Sequence, residues 1–181
     1  MKLLLTPLIC AALLLPSVGR AGGGRYAFTG GTPRERAEVV RALEASSFDW
    51  GLVSDRVIVH IARGVVSRSI PGEGWLDADL LDADTFAWGV VQHEFAHQVD
   101  FLLLTDRDRD GLLRLVGESV WCAPALPSAD QGCERFASAV AWAYWPSRDN
   151  CMRPDAETRR VTARFRSRLE QLLPIEEGVL R

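Results

Sequence analysis

The stretch that most restricts how this chain can fold runs from Thr85 to Leu102. It holds no proline, and Gly89 is its only glycine. Asp84 or Thr85 can cap it, and Phe86, Val90, Val91, Phe95, Val99 and Leu102 recur at helical intervals, so these residues predict a long helix ending before Asp106. Within that apolar run stand His93, Glu94 and His97. Residues four apart on an α-helix differ by about 40° around the axis, so His93 and His97 project the same way and can share one ion. Glu94 lies about 100° from His93, too far round for a natural third ligand but well placed to flank an ion and take a proton from water there. A core helix with hydrogen-bonded histidines would carry similar residues. The H-E-x-x-H spacing on a predicted helix favours metal, because chance matches are rare in a chain of 181 residues.

The flanking segments predict a mixed architecture. Thr32-Pro33-Arg34-Glu35 has the form of a capping box with proline at the first helical position, and Ala37, Val40, Leu43 and Ala45 continue it to Ser46-Ser47. Val57 to Ile61 reads as a strand and Val65 to Ser69 as a second, while Trp75 to Leu80 reads as an edge strand reached through the turn Pro71 to Gly74. Asp106 to Gly111 reads as a solvated turn in which Asp110 caps a short helix from Leu112 to Trp121. Glu134 to Trp145 reads as a mostly buried helix stopped by Pro146, and Asp155 to Leu173 as an amphipathic helix with Val161, Phe165, Leu169 and Leu172 on one face. The expected class is α+β, with a small N-terminal sheet over the histidine-bearing helix and a helical C-terminal part.

A catalytic zinc site takes three protein ligands and keeps a position for water. Glu134, Glu118, Asp100 and His60 are the candidates for the third ligand. Glu134 is a charge in an otherwise apolar helix and needs a partner there. Asp100, seven residues past His93 and so on nearly the same face, is better placed to accept the far ring N–H of a ligand. His60, in mid-strand, reads as a packed or surface residue, and Tyr144 as an aromatic of the core.

The segment His93-Glu94-Phe95-Ala96-His97-Gln98-Val99-Asp100 resembles the active-site helix of the zincin metallopeptidases. Within that clan it is similar to the glutamate-ligand group, and above all to the anthrax lethal factor-like peptidases, in which an H-E-F-G-H-x-x-D segment precedes an E-x-F-A segment. Here Glu134-Arg135-Phe136-Ala137 stands in the second place, and Ala96 replaces the family's glycine. The resemblance implies a zincin-like fold, zinc as cofactor, His93, His97 and Glu134 as ligands, and Glu94 as the catalytic base. It also implies a peptide laid along a free sheet edge, the place that Glu73 to Leu80 would occupy. The separation of Glu118 from His97 resembles thermolysin-like enzymes and keeps Glu118 as the alternative ligand.

Residues 1–21 combine Lys2, an apolar run from Leu8 to Leu15 and the small-x-small ending Gly19-Arg20-Ala21, which reads as a secretory signal peptide. Its apolar run is too short to span a bilayer, and residues 22–181 are then one metallopeptidase domain. The formal charge is −3, and no basic patch argues for nucleic acid. Export favours one disulfide and one free thiol among Cys122, Cys133 and Cys151, with the pairing open. The expectation is a secreted, monomeric zinc endopeptidase acting on protein or peptide substrates, with no membrane association once the signal is removed. The alternatives are a zinc-dependent amidase acting on a non-protein or peptidoglycan bond, and a non-catalytic domain braced by metal.

Overall fold

The structure is a computed structural model and describes residues 18–21, 24–123, 125–153 and 159–173. Tyr26 and Phe28 are buried while Thr29 is exposed, the alternation of a strand with one face on a core. They belong to β2 (Gly24–Gly30), a strand not among the expected ones. It pairs with β1 (Val18–Ala21) on one side and β3 (Ile58–Ala62) on the other. The sheet is completed by β4 (Arg68–Ile70) and β5 (Glu73–Asp77), in the order β1-β2-β3-β5-β4. The two inner pairs are parallel and the two outer pairs antiparallel. Because β1 lies in the segment read as a signal peptide, cleavage after Ala21 would leave four strands with β2 at one edge.

The edge next to the histidine-bearing helix is not where the alternation of Trp75 to Leu80 suggested. β5 sits between β3 and β4, because the turn at Pro71-Gly72 folds β4 back onto its free side. The strand also stops earlier than expected. The Asp77 carboxylate accepts from the Asp79 amide and caps the short helix α3 (Ala78–Leu81).

Seven α-helices are described in all. The capping box forms as expected on α1 (Pro33–Glu44), where Thr32 and Glu35 each accept the other's backbone N–H. After the short α2 (Gly51–Ser54) and α3, the long helix α4 spans Thr85–Leu103, and Val91 to Asp100 are all buried. The Asp106 segment is helical from its first residue, not a turn: in α5 (Asp106–Val116), Thr105 and Asp108 form a second capping box and Arg109 pairs with both Asp106 and Asp100. α6 (Gly132–Tyr144) and α7 (Arg159–Leu172) follow, while residues 155–158 of the expected last helix lie outside the described residues. The observed class is mixed α and β.

The core joins Tyr26, Phe28, Val59, Ile61 and Leu76 of the sheet to Val39 and Leu43 of α1, Val91, Phe95 and Val99 of α4, Phe136 and Val140 of α6, and Phe165 and Leu169 of α7. Each such side chain, fully buried, contributes about 1.5–3 kcal/mol. Cys122 and Cys133 form a disulfide with Cα atoms 5.6 Å apart, which leaves Cys151 as the free, exposed thiol among the described residues. Among those residues no helix is long and apolar enough to cross a membrane.

Gly89 lets the loop at Asn150-Cys151 close against α4. A Cβ there would stand 2.6 Å from Asn150 Oδ1 and 3.1 Å from Cys151 Sγ. Asn150 has little room to yield, since it donates to the carbonyls of Ala141 and Trp145 and accepts from the Met152 amide. Gly89→Ala is therefore expected to lower stability, with an overpacking cost of about 1–3 kcal/mol outweighing a helix-propensity gain of about 1 kcal/mol. Gly111→Ala in α5 meets only the flexible end of Arg168, at 3.3 Å, and should keep most of that gain. Denaturant unfolding of the two variants checks this; equal shifts in the same direction would contradict it.

Candidate metal centre

The buried part of α4 supplies two imidazoles one turn apart, and the first turn of α6 brings a carboxylate against them. His93 Nε2 and His97 Nε2 are 3.2 Å apart. Glu134 reaches both through separate oxygens, Oε2 at 3.3 Å from His93 Nε2 and Oε1 at 3.5 Å from His97 Nε2. Ligand atoms arranged tetrahedrally at about 2.0–2.1 Å from zinc are about 3.3–3.4 Å from one another, so the two ring nitrogens are spaced as two corners of that figure, with a carboxylate oxygen near each of them. Two ring nitrogens turned toward each other and toward one carboxylate suit a cation better than any single proton between them. These three residues form a group that can hold a metal ion. The histidine side chains are almost wholly buried and that of Glu134 is 33% exposed, so the group is open to solvent on the carboxylate side.

Two carboxylates beside these rings experience opposite electrostatics. Hydrogen bonds with His93 and His97 hold the Glu134 carboxyl well below the usual carboxylate range, despite partial desolvation. Glu94 is raised from its ordinary 4.5 by burial, against the charges of His93 and His97 and a hydrogen bond from Ser69. The Ser69 hydroxyl lies 2.9 Å from both the backbone carbonyl and Oε2 of Glu94. Ser69 is the middle residue of β4, so the sheet edge is tied directly to this carboxylate.

The other candidates take different places. Asp100 bonds to neither histidine. Its buried carboxylate accepts from Trp121 Nε1 at 3.0 Å and from Arg109 Nε at 2.7 Å. The backbone of that Trp121 loop in turn accepts from the amides of Gly132 and Cys133, and the Cys122–Cys133 disulfide joins the same segments. Asp100 thus acts on Glu134 through the start of α6 and not on a ring tautomer. Glu118 pairs with Arg135 at 2.9 Å and does not enter the group. His60 stacks on Trp75, and Tyr144 packs on Phe48.

The residue behind His93 is Ser138, whose hydroxyl lies 3.2 Å from Nδ1. It sits four residues after Glu134 on α6, and that spacing is a signal the sequence carried. Ser69 and Gln98 carried none. Gln98 donates to the carbonyls of Ile70 and Glu73 and accepts from the Gly72 amide, which pins the β4–β5 hairpin to α4.

No family model, curated protein or solved structure matches this chain.

The raised Glu94 implies a stability cost with a definite sign. A carboxyl whose folded pKa exceeds its unfolded value favours folding when protonated, so that contribution is complete below the unfolded value and is lost as pH rises through the folded one. In metal-free protein, Glu94→Gln should therefore melt higher than the parent at neutral pH, with the gap closing below the ordinary 4.5 of the side chain. Thermal melts of both proteins across that range check it; a gap independent of pH would contradict it.

Proposed function

We propose that this chain is a zinc-dependent endopeptidase of the zincin kind, of the glutamate-ligand group, working as an exported monomer. The observation that carries the reading is a converging three-residue ligand set, two imidazole nitrogens 3.2 Å apart with a carboxylate against both, beside a buried carboxylate, Glu94, that is not one of the ligands. His93, His97 and Glu134 would hold the ion. When bound, zinc supplies a Lewis acid that polarises a carbonyl and lowers the pKa of water toward about 7.

The remaining work falls to the chain's own residues. Ser69 engages Glu94 Oε2 and leaves Oε1 to take the proton of the attacking water and hand it to the departing amine nitrogen. Burial raises the proton affinity of Glu94, which suits an acceptor that must later donate. Ser138 orients His93 through Nδ1, leaving Nε2 for the ion. The free edge of β4 beside Ser69 offers backbone for pairing with an extended chain, which favours peptides over other amide substrates. A site that only braced helices would have no use for Glu94, whose buried carboxylate lowers stability. The disulfide suits an oxidising compartment.

Three substitutions test the assignment together. Glu94→Gln should keep the metal while peptide hydrolysis falls by about 10²–10⁴, the usual contribution of a general base. Glu134→Ala should lose metal, and Glu118→Ala should keep both metal and activity. Metal analysis and peptide-hydrolysis assays read these outcomes. Release of metal by Glu118→Ala with retention by Glu134→Ala would refute the ligand assignment.

A further inference from the structure

The outer face of the sheet carries one cross-strand row that the proposed chemistry does not use. Thr29, His60, Trp75 and Arg68 are direct partners in register across β2, β3, β5 and β4. Thr29 Oγ1 lies 2.6 Å from His60 Nδ1, and Glu73 Oε2 lies 2.8 Å from His60 Nε2. His60 stacks on Trp75 with centroids 4.7 Å apart, and the Arg68 guanidinium lies 3.9 Å from the Trp75 ring centre. The row ends in a guanidinium that stacking holds in place and that forms no ion pair or hydrogen bond among the described residues. Arg34, Arg41, Arg63, Arg109, Arg135 and Arg166 do pair with acids, so what sets Arg68 apart is its fixed stacking on Trp75.

Arg68 also stands at a particular place. Side chains alternate along a strand, so Ser69 points inward to Glu94 while Arg68 and Ile70 both face outward. Ile70 is 42% exposed and lies near Ile58, which is 41% exposed, across the intervening Glu73. A strand added to the free edge of β4 sets one residue opposite each of these three, and directly opposed side chains interact. The residue opposite Ser69 is then the one closest to Glu94.

We propose that Arg68 and Ile70 select the substrate: the β4 edge takes an extended segment with an acidic residue opposite Arg68 and an apolar residue opposite Ile70, on either side of the residue beside Glu94. The inference rests on the endopeptidase reading for its chemistry, but its recognition step can be measured alone. Stacking on Trp75 has already ordered the guanidinium, so less freedom is lost when a carboxylate pairs with it.

The test uses metal-loaded Glu94→Gln protein and fluorescence anisotropy with labelled octapeptides carrying the acidic-x-apolar pattern, in both orders, or lysine in place of the acid. With Arg68 present, the better acidic peptide should bind roughly five- to tenfold more tightly than its lysine counterpart, and about 1 M salt should erase the difference. Adding Arg68→Glu should reverse the preference, and Arg68→Gln, which removes the charge together with the guanidinium plane, should abolish it. In parallel, the parent enzyme is profiled on a peptide library. Cleavage beside an acidic-x-apolar pattern supports the inference. Equal binding of acidic and lysine peptides, no binding of either, or a preference unchanged in Arg68→Glu overturns it, even if the parent cleaves peptides. Arg68-dependent binding by a parent that cleaves no peptide would uphold the recognition and overturn the endopeptidase reading instead.

Discussion

Ten consecutive residues of one helix, Val91 to Asp100, are buried on every side, and six of them carry polar side chains. A polar group shut away from water without a partner costs about 1–3 kcal/mol, and a charge costs more, so each of these side chains must reach something. Each reaches a different part of the molecule. Gln92 donates to the Ala42 carbonyl of α1, and only its Oε1 is left without a partner. His93 and His97 meet Glu134 of α6, Glu94 meets Ser69 of β4, Gln98 clasps the β4–β5 turn, and Asp100 holds Trp121 and Arg109. The polar side chains of α4 thereby set the positions of α1, α6, the sheet edge and the loop before α6.

Within that arrangement the histidines differ from the rest. The glutamines and Asp100 are answered mainly by neutral donors and acceptors or by an arginine, in the manner of structural bonds. The two imidazoles face one another and a carboxylate, with solvent reaching the carboxylate side. Glu94 is the other exception, a buried carboxylate whose side chain is met by a hydroxyl and not by a cation. Structure and chemistry part company at these four residues, where the fold keeps groups that apolar packing would not choose.

Local signals made much of this readable. The box at Thr32-Glu35 announces α1 because both partners lie within one turn, and the unbroken apolar run announces α4. Glu134 stood out because a charge in an apolar helix demands a partner. The misreadings share one cause. Whether β5 is an edge depends on the turn returning β4 to its side, and whether Asp100 backs a histidine depends on Trp121, twenty-one residues away, arriving first. The Asp106 segment looked like a turn by composition, yet Thr105, Asp108 and Arg109 supply the cap and side-chain pairs that make it helical. Ser69, which ties the sheet edge to Glu94, is joined to it by a contact between distant segments and left no local trace.

The central claim is that His93, His97 and Glu134 bind one ion and leave a position open. X-ray absorption at the zinc edge of purified, zinc-loaded protein tests it most directly. The account requires a four-coordinate shell of nitrogen and oxygen at about 2.0–2.1 Å with outer-shell scattering from two imidazoles. A sulfur shell at about 2.3 Å, or fewer than two imidazoles, would contradict it.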